Sequence, residues 1–259
     1  MKRWHLFEFE DQPWLPTVLR NLQTDFLSAM SCALQIYEPA VPLIDKVLEQ
    51  TTGRHIVDLG SGAAGPWEQL LEKGWDVTVT LTDRYPNSKA FARAQERFPQ
   101  RLTYCPEPVD ARHLPAQFDG MRIMLNSFHH FEPNDAQAIL REAVERKAAI
   151  GIFEIAQLTP RTLLSMLLGV PPLVLALTPW IRPLTFSRMV WTYCIPLAPA
   201  LILWDGLASL LRAYSPAELA ELAAAANGED YRWETGRIVP PFPRVPITYL
   251  LGWPTVPQP

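Results

Sequence analysis

Four residues followed at once by a glycine-rich loop restrict the fold more than anything else in this chain. Ile56-Val57-Asp58-Leu59 is strand-like, Gly60-Ser61-Gly62-Ala63-Ala64-Gly65 follows, and Pro66 opens a helix at a position where a missing N–H costs nothing. Gly60, Gly62 and Gly65 fit G-x-G-x-x-G. Such a loop serves dinucleotide and sulfonium-nucleoside sites alike, because both need backbone to come close to a ligand at a helix N-terminus. Taken alone it also suits a plain tight turn, where glycine supplies positive φ.

The pattern then repeats. Trp75 to Thr82 alternates large apolar residues with Asp and Thr and stops at Asp83, and Pro86 to Phe98 reads as a helix. Leu102 to Val109 is a strand interrupted by two prolines, leading into Asp110-Ala111-Arg112-His113-Leu114-Pro115. Met121 to Leu125 is a strand ending at Asn126, Glu132 to Lys147 a helix with Ile139, Leu140, Ala143 and Val144 inward, and Ala148 to Ile155 the next strand. Strands alternating with helices favour a parallel sheet covered on both faces. Ser215-Pro216-Ala217-Glu218 is a capping box for a helix ending near Asn227-Gly228. Tyr231 to Glu234 and Ile247 to Leu251 are strands joined by the proline-rich Pro240 to Pro246, too close for an intervening helix, so they pair antiparallel. Ahead of the first strand, Leu19, Leu22, Phe26, Leu27 and Met30 recur at helical spacing, and a second helix spans Pro39 to Gln50.

The 259 residues, 48% of them apolar, suffice for one globular core. With 23 Lys and Arg against 27 Asp and Glu, the net charge of -4 excludes a protein that binds nucleic acid by neutralising phosphates. Cys32, Cys105 and Cys194 are scattered and include no CxxC pair, which predicts neither a disulfide framework nor a metal site. Glu8, Glu10 and Asp11 follow the basic start too soon for a signal peptide, so a cytoplasmic location is expected.

Asp58, two residues ahead of Gly60, combines with Asp83 after the second strand and Asp110 after the third. That constellation resembles the class I S-adenosylmethionine (SAM) dependent methyltransferases. Phe118-Asp119 followed by Asn126-Ser127-Phe128-His129-His130-Phe131 resembles the family's fourth motif, and the closing strand pair its sixth and seventh strands. The resemblance covers residues 40–157 and 215–253. It implies an α/β, Rossmann-like, mostly parallel seven-stranded sheet with helices on both faces and an antiparallel last strand. It also implies SAM as cofactor. Asp58, Gly60, Ser61, Gly62 and Gly65 would lie under its methionine portion, Asp83 would hold the ribose hydroxyls, Asp110 and Ala111 would meet the adenine amino group, and Asn126 would border cofactor and substrate. The usual third glycine falls on Ala64, one residue before Gly65. The competing readings are a helix cap for Asp83, an Asx turn for Asp110, and a nicotinamide dehydrogenase for the whole. Asp58, Asp110 and the antiparallel pair favour SAM.

Methyl transfer needs an acceptor held close to the sulfonium methyl and, for O–H, N–H or acidic C–H acceptors, a base. His129 and His130 stand just past the fourth strand, where the reacting groups would meet, and are candidate catalytic bases. Either could instead hydrogen-bond in the core. Glu8, Asp11, Trp14 and Arg20 lie on the N-terminal arm and read as substrate-orienting groups or, more simply, a surface network. Family analogy places Tyr37-Glu38-Pro39 near the cofactor carboxylate. Asp205 interrupts the apolar run 195–204 and is a third catalytic candidate, with a helix-capping turn as its plain alternative.

Between the fifth strand and the capped helix lies an insertion too long for an ordinary connection. Thr162 to Ile181 is uncharged, long enough for a helix to cross a bilayer, but Pro171 and Pro172 at its centre argue against one unbroken helix. Lid over the substrate, membrane-surface element, spanning hairpin and homodimer interface all remain open, and the first three suit an apolar substrate. The expected organisation is an N-terminal helical cap (1–52), a SAM-binding core (53–157 and 214–259) and an apolar helical insertion (158–213). The expected function is methyl transfer from SAM to a small hydrophobic molecule, in the cytoplasm or against the inner face of a membrane. A non-catalytic protein of the same fold that binds a partner or membrane is the alternative from another class.

Overall fold

The computed structural model describes residues 3–226, 228–241 and 245–255. Met1, Lys2, the expected helix stop at Asn227 and residues 242–244 of the proline-rich connector lie outside the described residues.

Seven strands form one sheet: β1 (His55–Leu59), β2 (Thr78–Thr82), β3 (Leu102–Tyr104), β4 (Met121–Leu125), β5 (Ile150–Glu154), β6 (Tyr231–Ile238) and β7 (Ile247–Pro254). Their order is β3-β2-β1-β4-β5-β7-β6, with β7 antiparallel to both neighbours and the other pairings parallel. The expected sheet is therefore present. Because side chains alternate across a strand, β1 feeds both faces. Ile56 joins a core with Ile44, Trp67 and Phe91 from α2 (Val41–Leu48), α3 (Trp67–Glu72) and α4 (Ser88–Arg97). Val57 and Leu59 join another with Ile139 and Leu219 from α5 (Pro133–Glu145) and α9 (Pro216–Ala225). Strand order reverses between β1 and β4, and ligands of open α/β sheets bind in the crevice at the strand ends beside that reversal.

Three local expectations shift. β3 ends at Tyr104 rather than Val109, since Pro106 and Pro108 have no N–H for the ladder, although Cys105 still donates to Leu81 O and Val109 to Asp83 O. β2 starts at Thr78 because Trp75 leaves the strand path to stack on Trp67, with its indole N–H on Asp45. The capping box at Ser215 and Glu218 forms as expected.

The insertion departs further. α6 (Pro160–Leu177) passes through Pro171 and Pro172 without breaking. It packs beside α8 (Leu197–Arg212), where a Cβ on Gly206 would stand 2.6 Å from Met166 Sδ, and both lie against α1 (Thr17–Ala33). Asp205 lies in the middle of α8, so the capping-turn reading is wrong. The short helix α7 (Phe186–Met189) ties the insertion to α1 by a buried pair in which Arg188 Nη2 donates to Asp25 Oδ2 at 2.5 Å. Asn87, which caps α4, donates to Asp25 Oδ1 at 3.2 Å.

Asp25→Ala strands the Arg188 guanidinium in a buried setting and should cost roughly 3–5 kcal/mol in urea unfolding. Asp25→Asn, which keeps an acceptor, should cost clearly less; equal costs would show that the charge of the pair is immaterial.

Candidate functional site

At the crevice the glycine loop is stapled to the neighbouring strand. Gly60 and Ser61 donate their N–H groups to Thr82 O at 3.0 and 2.9 Å, while Ser61 Oγ donates to Asp58 O and accepts from Thr82 N. Gly60 has φ of +87°, and a Cβ there would stand 3.0 Å from Ser127 Cβ, so the loops after β1 and β4 close only over a glycine. Ala64 adopts a φ of +73°, the left-handed region where glycine is usual, and holds Gly65 in the expected loop at the expense of some strain. Ser28 Oγ of α1 donates to Gly65 O at 3.0 Å.

The three acids occupy unlike settings. Asp58 is 1% exposed; Trp67 Nε1 donates to its Oδ2 at 2.6 Å and its Oδ1 has no hydrogen-bond partner among the described residues. Burial pushes its pKa up to about 7. Asp83 accepts the N–H of Gly62 on Oδ2 (2.8 Å) and of Tyr85 on Oδ1 (2.7 Å), so it braces the glycine loop, and burial raises its pKa. The cap of α4 is Asn87, which removes the helix-cap reading of Asp83. Asp110 does form an Asx-type turn with Arg112 N, and the Arg112 guanidinium bonds both its oxygens and lowers its pKa to about 2. Asn126, at φ +53°, accepts from Ile155 N and lines the same cavity as Ala111.

Beyond β4 the two histidines separate in role. His129 is 1% exposed; its Nδ1 lies 2.6 Å from Glu154 Oε2, whose partner oxygen accepts from Phe128 N. A carboxylate only accepts, so Nδ1 donates to Glu154, and the other ring nitrogen, Nε2, has no hydrogen-bond partner among the described residues. His130 stacks on His129 at 4.5 Å and points its Nδ1 at Asp11 Oδ1 (2.8 Å) and Glu8 Oε2 (3.3 Å). Burial pulls its pKa down, but the carboxylates of Glu8, Asp11 and Glu10 outweigh that and hold it well above the usual value. Arg212 bonds Asp11 (2.6 Å) and Glu8 (3.3 Å), and Glu8 is 1% exposed, so the arm acids form a buried network and not a surface one. Asp11 stays well below the carboxylate range because His130 and Arg212 overcome the opposing effect of burial.

Asp205 accepts the backbone N–H of Phe9 on Oδ1 (2.7 Å) and of Glu10 on Oδ2 (3.0 Å). It fastens the N-terminal arm to α8 and lines the same cavity as the two histidines. Burial raises it to about 6 and Glu10, surrounded by other acids, to about 8. Trp14 is exposed and packs on Phe9, away from these acids.

These groups share one cavity of about 610 Å³, lined by the glycine loop, the three acids, both histidines, the arm, α1 and the insertion. Tyr37 also lines it, whereas Glu38 pairs with Lys73 at 3.0 Å. Two participants were missed in the sequence. Glu154 ends a strand that reads as plain apolar core. Gln23 is 1% exposed on α1, lines the cavity, and has no hydrogen-bond partner for either amide atom among the described residues; the signal is a polar residue on the buried face beside Leu19, Leu22 and Phe26. Ligand-type atoms of Glu8, His129 and His130 lie within 4.8 Å of one another, a spacing a cation could bridge, but Arg212 already sets a positive charge against Glu8.

No family model and no curated protein matches the chain. Among solved structures it is similar to the plantazolicin methyltransferase BpumL in complex with SAH, at 14% identity and a TM-score of 0.52, over 92% of this chain and 96% of that one. The fold is that of the class I SAM-dependent methyltransferases. A candidate O-methyltransferase from Nostoc punctiforme aligns at 13% identity and TM-score 0.50 over 89% of this chain, which spans 59% of that longer protein. A candidate zinc-dependent alcohol dehydrogenase from Rhodobacter sphaeroides also aligns, at 13% identity and TM-score 0.50, over 91% and 98%. At these identities the likeness is one of fold, and the activity has to be argued from the site.

Asp58, Glu10 and Asp205, at about 7, 8 and 6, retain protons in the fold that the unfolded chain has already lost. The stability this gives is full below their unfolded values and is lost as pH rises through the folded ones; His130 acts in the same direction, while Asp11 and Asp110 change only at the acid end. The melting temperature of the ligand-free protein should therefore fall between about pH 5 and about pH 8, and Asp58→Asn should flatten the decline. A rise across that window would contradict the assignment.

Proposed function

We propose that this protein is a SAM-dependent methyltransferase acting on an O–H group of a small, largely hydrophobic acceptor, with His129 as the base. The observation that carries this reading is the placement of His129 Nε2: buried, without a hydrogen-bond partner among the described residues, oriented by Glu154, and in the cavity that holds the glycine loop.

The residues fit the cofactor. Asp58 Oδ1 is a buried acceptor without a donor, suited to a cationic ligand. Each Asp83 oxygen takes one backbone N–H and keeps capacity for a ribose hydroxyl. Asp110, already accepting from Arg112, would also accept from an adenine amino group. When bound, SAM would supply an electrophilic methyl group on its sulfonium, with S-adenosylhomocysteine as the leaving thioether. His129 Nε2 accepts the proton that the acceptor oxygen gives up as that oxygen takes the methyl, and Glu154 stabilises the imidazolium through Nδ1–H. His130, already held as a cation by Glu8 and Asp11, is a poor base and positions the arm. Gln23 offers an amide to a polar group of the acceptor, and Met166, Val170 and Ile202 bound the apolar end. On this reading the segment up to residue 52 is the cap, 158–213 the lid, and the rest the SAM-binding core.

Calorimetry should show SAM binding and none for NADH; the reverse would make the protein a dehydrogenase. Asp83→Ala should weaken SAM roughly ten- to a hundredfold through lost charge-assisted hydrogen bonds. With hydrophobic phenols as acceptors, His129→Gln should slow turnover by about 10²–10⁴-fold with SAM affinity kept. Normal turnover in His129→Gln would remove the base assignment.

A further inference from the structure

We propose that the outer face of α6 docks this protein on the surface of an anionic lipid bilayer and that the acceptor reaches the cavity from that bilayer, the latter resting on the methyltransferase reading above. The helix Pro160–Trp180 is long and apolar enough to cross a membrane, yet only 11% of its apolar window is buried. A core helix of a water-facing protein would be mostly buried. Here Leu163, Leu164, Leu167 and Leu168 face outward, Leu168 with 68% of its surface exposed, and Trp180 and Phe186 stand 77% and 84% exposed at the far end. Large apolar surfaces of this kind mark a contact with another apolar phase.

Charge selects the bilayer as occupant. From Ile155 to Trp204 there is no Asp or Glu, and the only charged residues are Arg161, Arg182 and Arg188, in a chain that is acidic overall. Arg188 is buried on Asp25, which leaves Arg161 and Arg182 exposed at the two ends of the apolar face. Basic residues flanking an apolar helix face, with tryptophan at its end, match an anionic headgroup layer. Depth follows from the backbone. Pro171 and Pro172 deprive the carbonyls of Leu167 and Leu168 of their helical donors, a heavy penalty at the centre of a bilayer but not at headgroup level, where water reaches them. The opposite side of α6 is packed on α8 and α1, so the helix lies in the interface and does not span. That inner side contributes Thr162, Ser165, Met166 and Val170 to the cavity wall, which makes one helix the partition between lipid and site.

Docking is read by co-sedimentation of the full chain with vesicles of phosphatidylcholine, alone or mixed with phosphatidylglycerol, and SAM affinity by calorimetry in parallel. Binding to the mixed vesicles is expected, several-fold weaker to phosphatidylcholine alone and reduced by salt. L164E/L168E should lose vesicle binding by about tenfold or more with SAM affinity and melting unchanged. R161Q/R182Q should lose the preference for anionic vesicles. No sedimentation with either vesicle, or full sedimentation of L164E/L168E, overturns docking whatever SAM does. A dimer by light scattering that L164E/L168E converts to monomer, without vesicle binding, overturns it in favour of a second copy. For the acceptor route, turnover of a long-chain phenol carried in vesicles should fall about tenfold in L164E/L168E while that of a short soluble phenol is kept. Equal loss on both overturns the route, and absence of SAM binding with docking retained overturns the route alone.

Discussion

A single buried guanidinium holds the roof of this site together. Arg212, 2% exposed at the end of α8, meets Glu8 and Asp11 from the N-terminal arm and donates through Nε to Leu6 O. The same two acids hold His130 beyond β4. Arm, insertion and sheet edge thus converge on one cluster in which no member can leave alone, because each departure strands an opposite charge in a low-dielectric setting. The cluster also approaches His129, whose Nε2 lies 3.8 Å from Glu8 Oε1, beyond hydrogen-bond reach.

The cavity wall is unusually acidic for a site expected to take an apolar acceptor. Asp58, Asp83, Glu10 and Asp205 all have raised pKa values with burial as the leading cause, so this wall holds four carboxylates above the usual carboxylate range. Such groups weaken the fold in exchange for a pocket that favours a cation. A sulfonium nucleoside with a free amino group would relieve that cost directly at Asp58, whose buried Oδ1 lacks a hydrogen-bond partner among the described residues.

The sheet was legible because its signals are local: an apolar run, a turn and an amphipathic helix can each be read within a dozen residues. The glycine loop and the three acids at strand ends were legible for the same reason. What escaped depends on contacts between distant segments. Glu154 sits in a strand whose other residues are core, and its pairing with His129 requires β4 and β5 to be neighbours. Gln23 reads as an ordinary helix residue until the cavity is built over it. Asp205 stands out in the sequence as a carboxylate amid apolar residues, but its partners are backbone N–H groups almost two hundred residues away. The prolines of α6 misled because a helix half packed on protein tolerates two missing donors on its other side.

Asp205, Ser209 and Arg212 are spaced four and three residues apart and therefore share one face of α8. All three hold the arm: Asp205 through the N–H groups of Phe9 and Glu10, Ser209 through Glu8, and Arg212 through Glu8 and Asp11. Elsewhere along its length α8 packs on α6, closely enough that Gly206 admits Met166. α6 thus meets the arm through α8, and the arm supplies the acids that fix His130 beside His129. The wall that separates the cavity from its surroundings and the groups that order the histidines are consequently joined through one face of α8, the face that carries Asp205, Ser209 and Arg212.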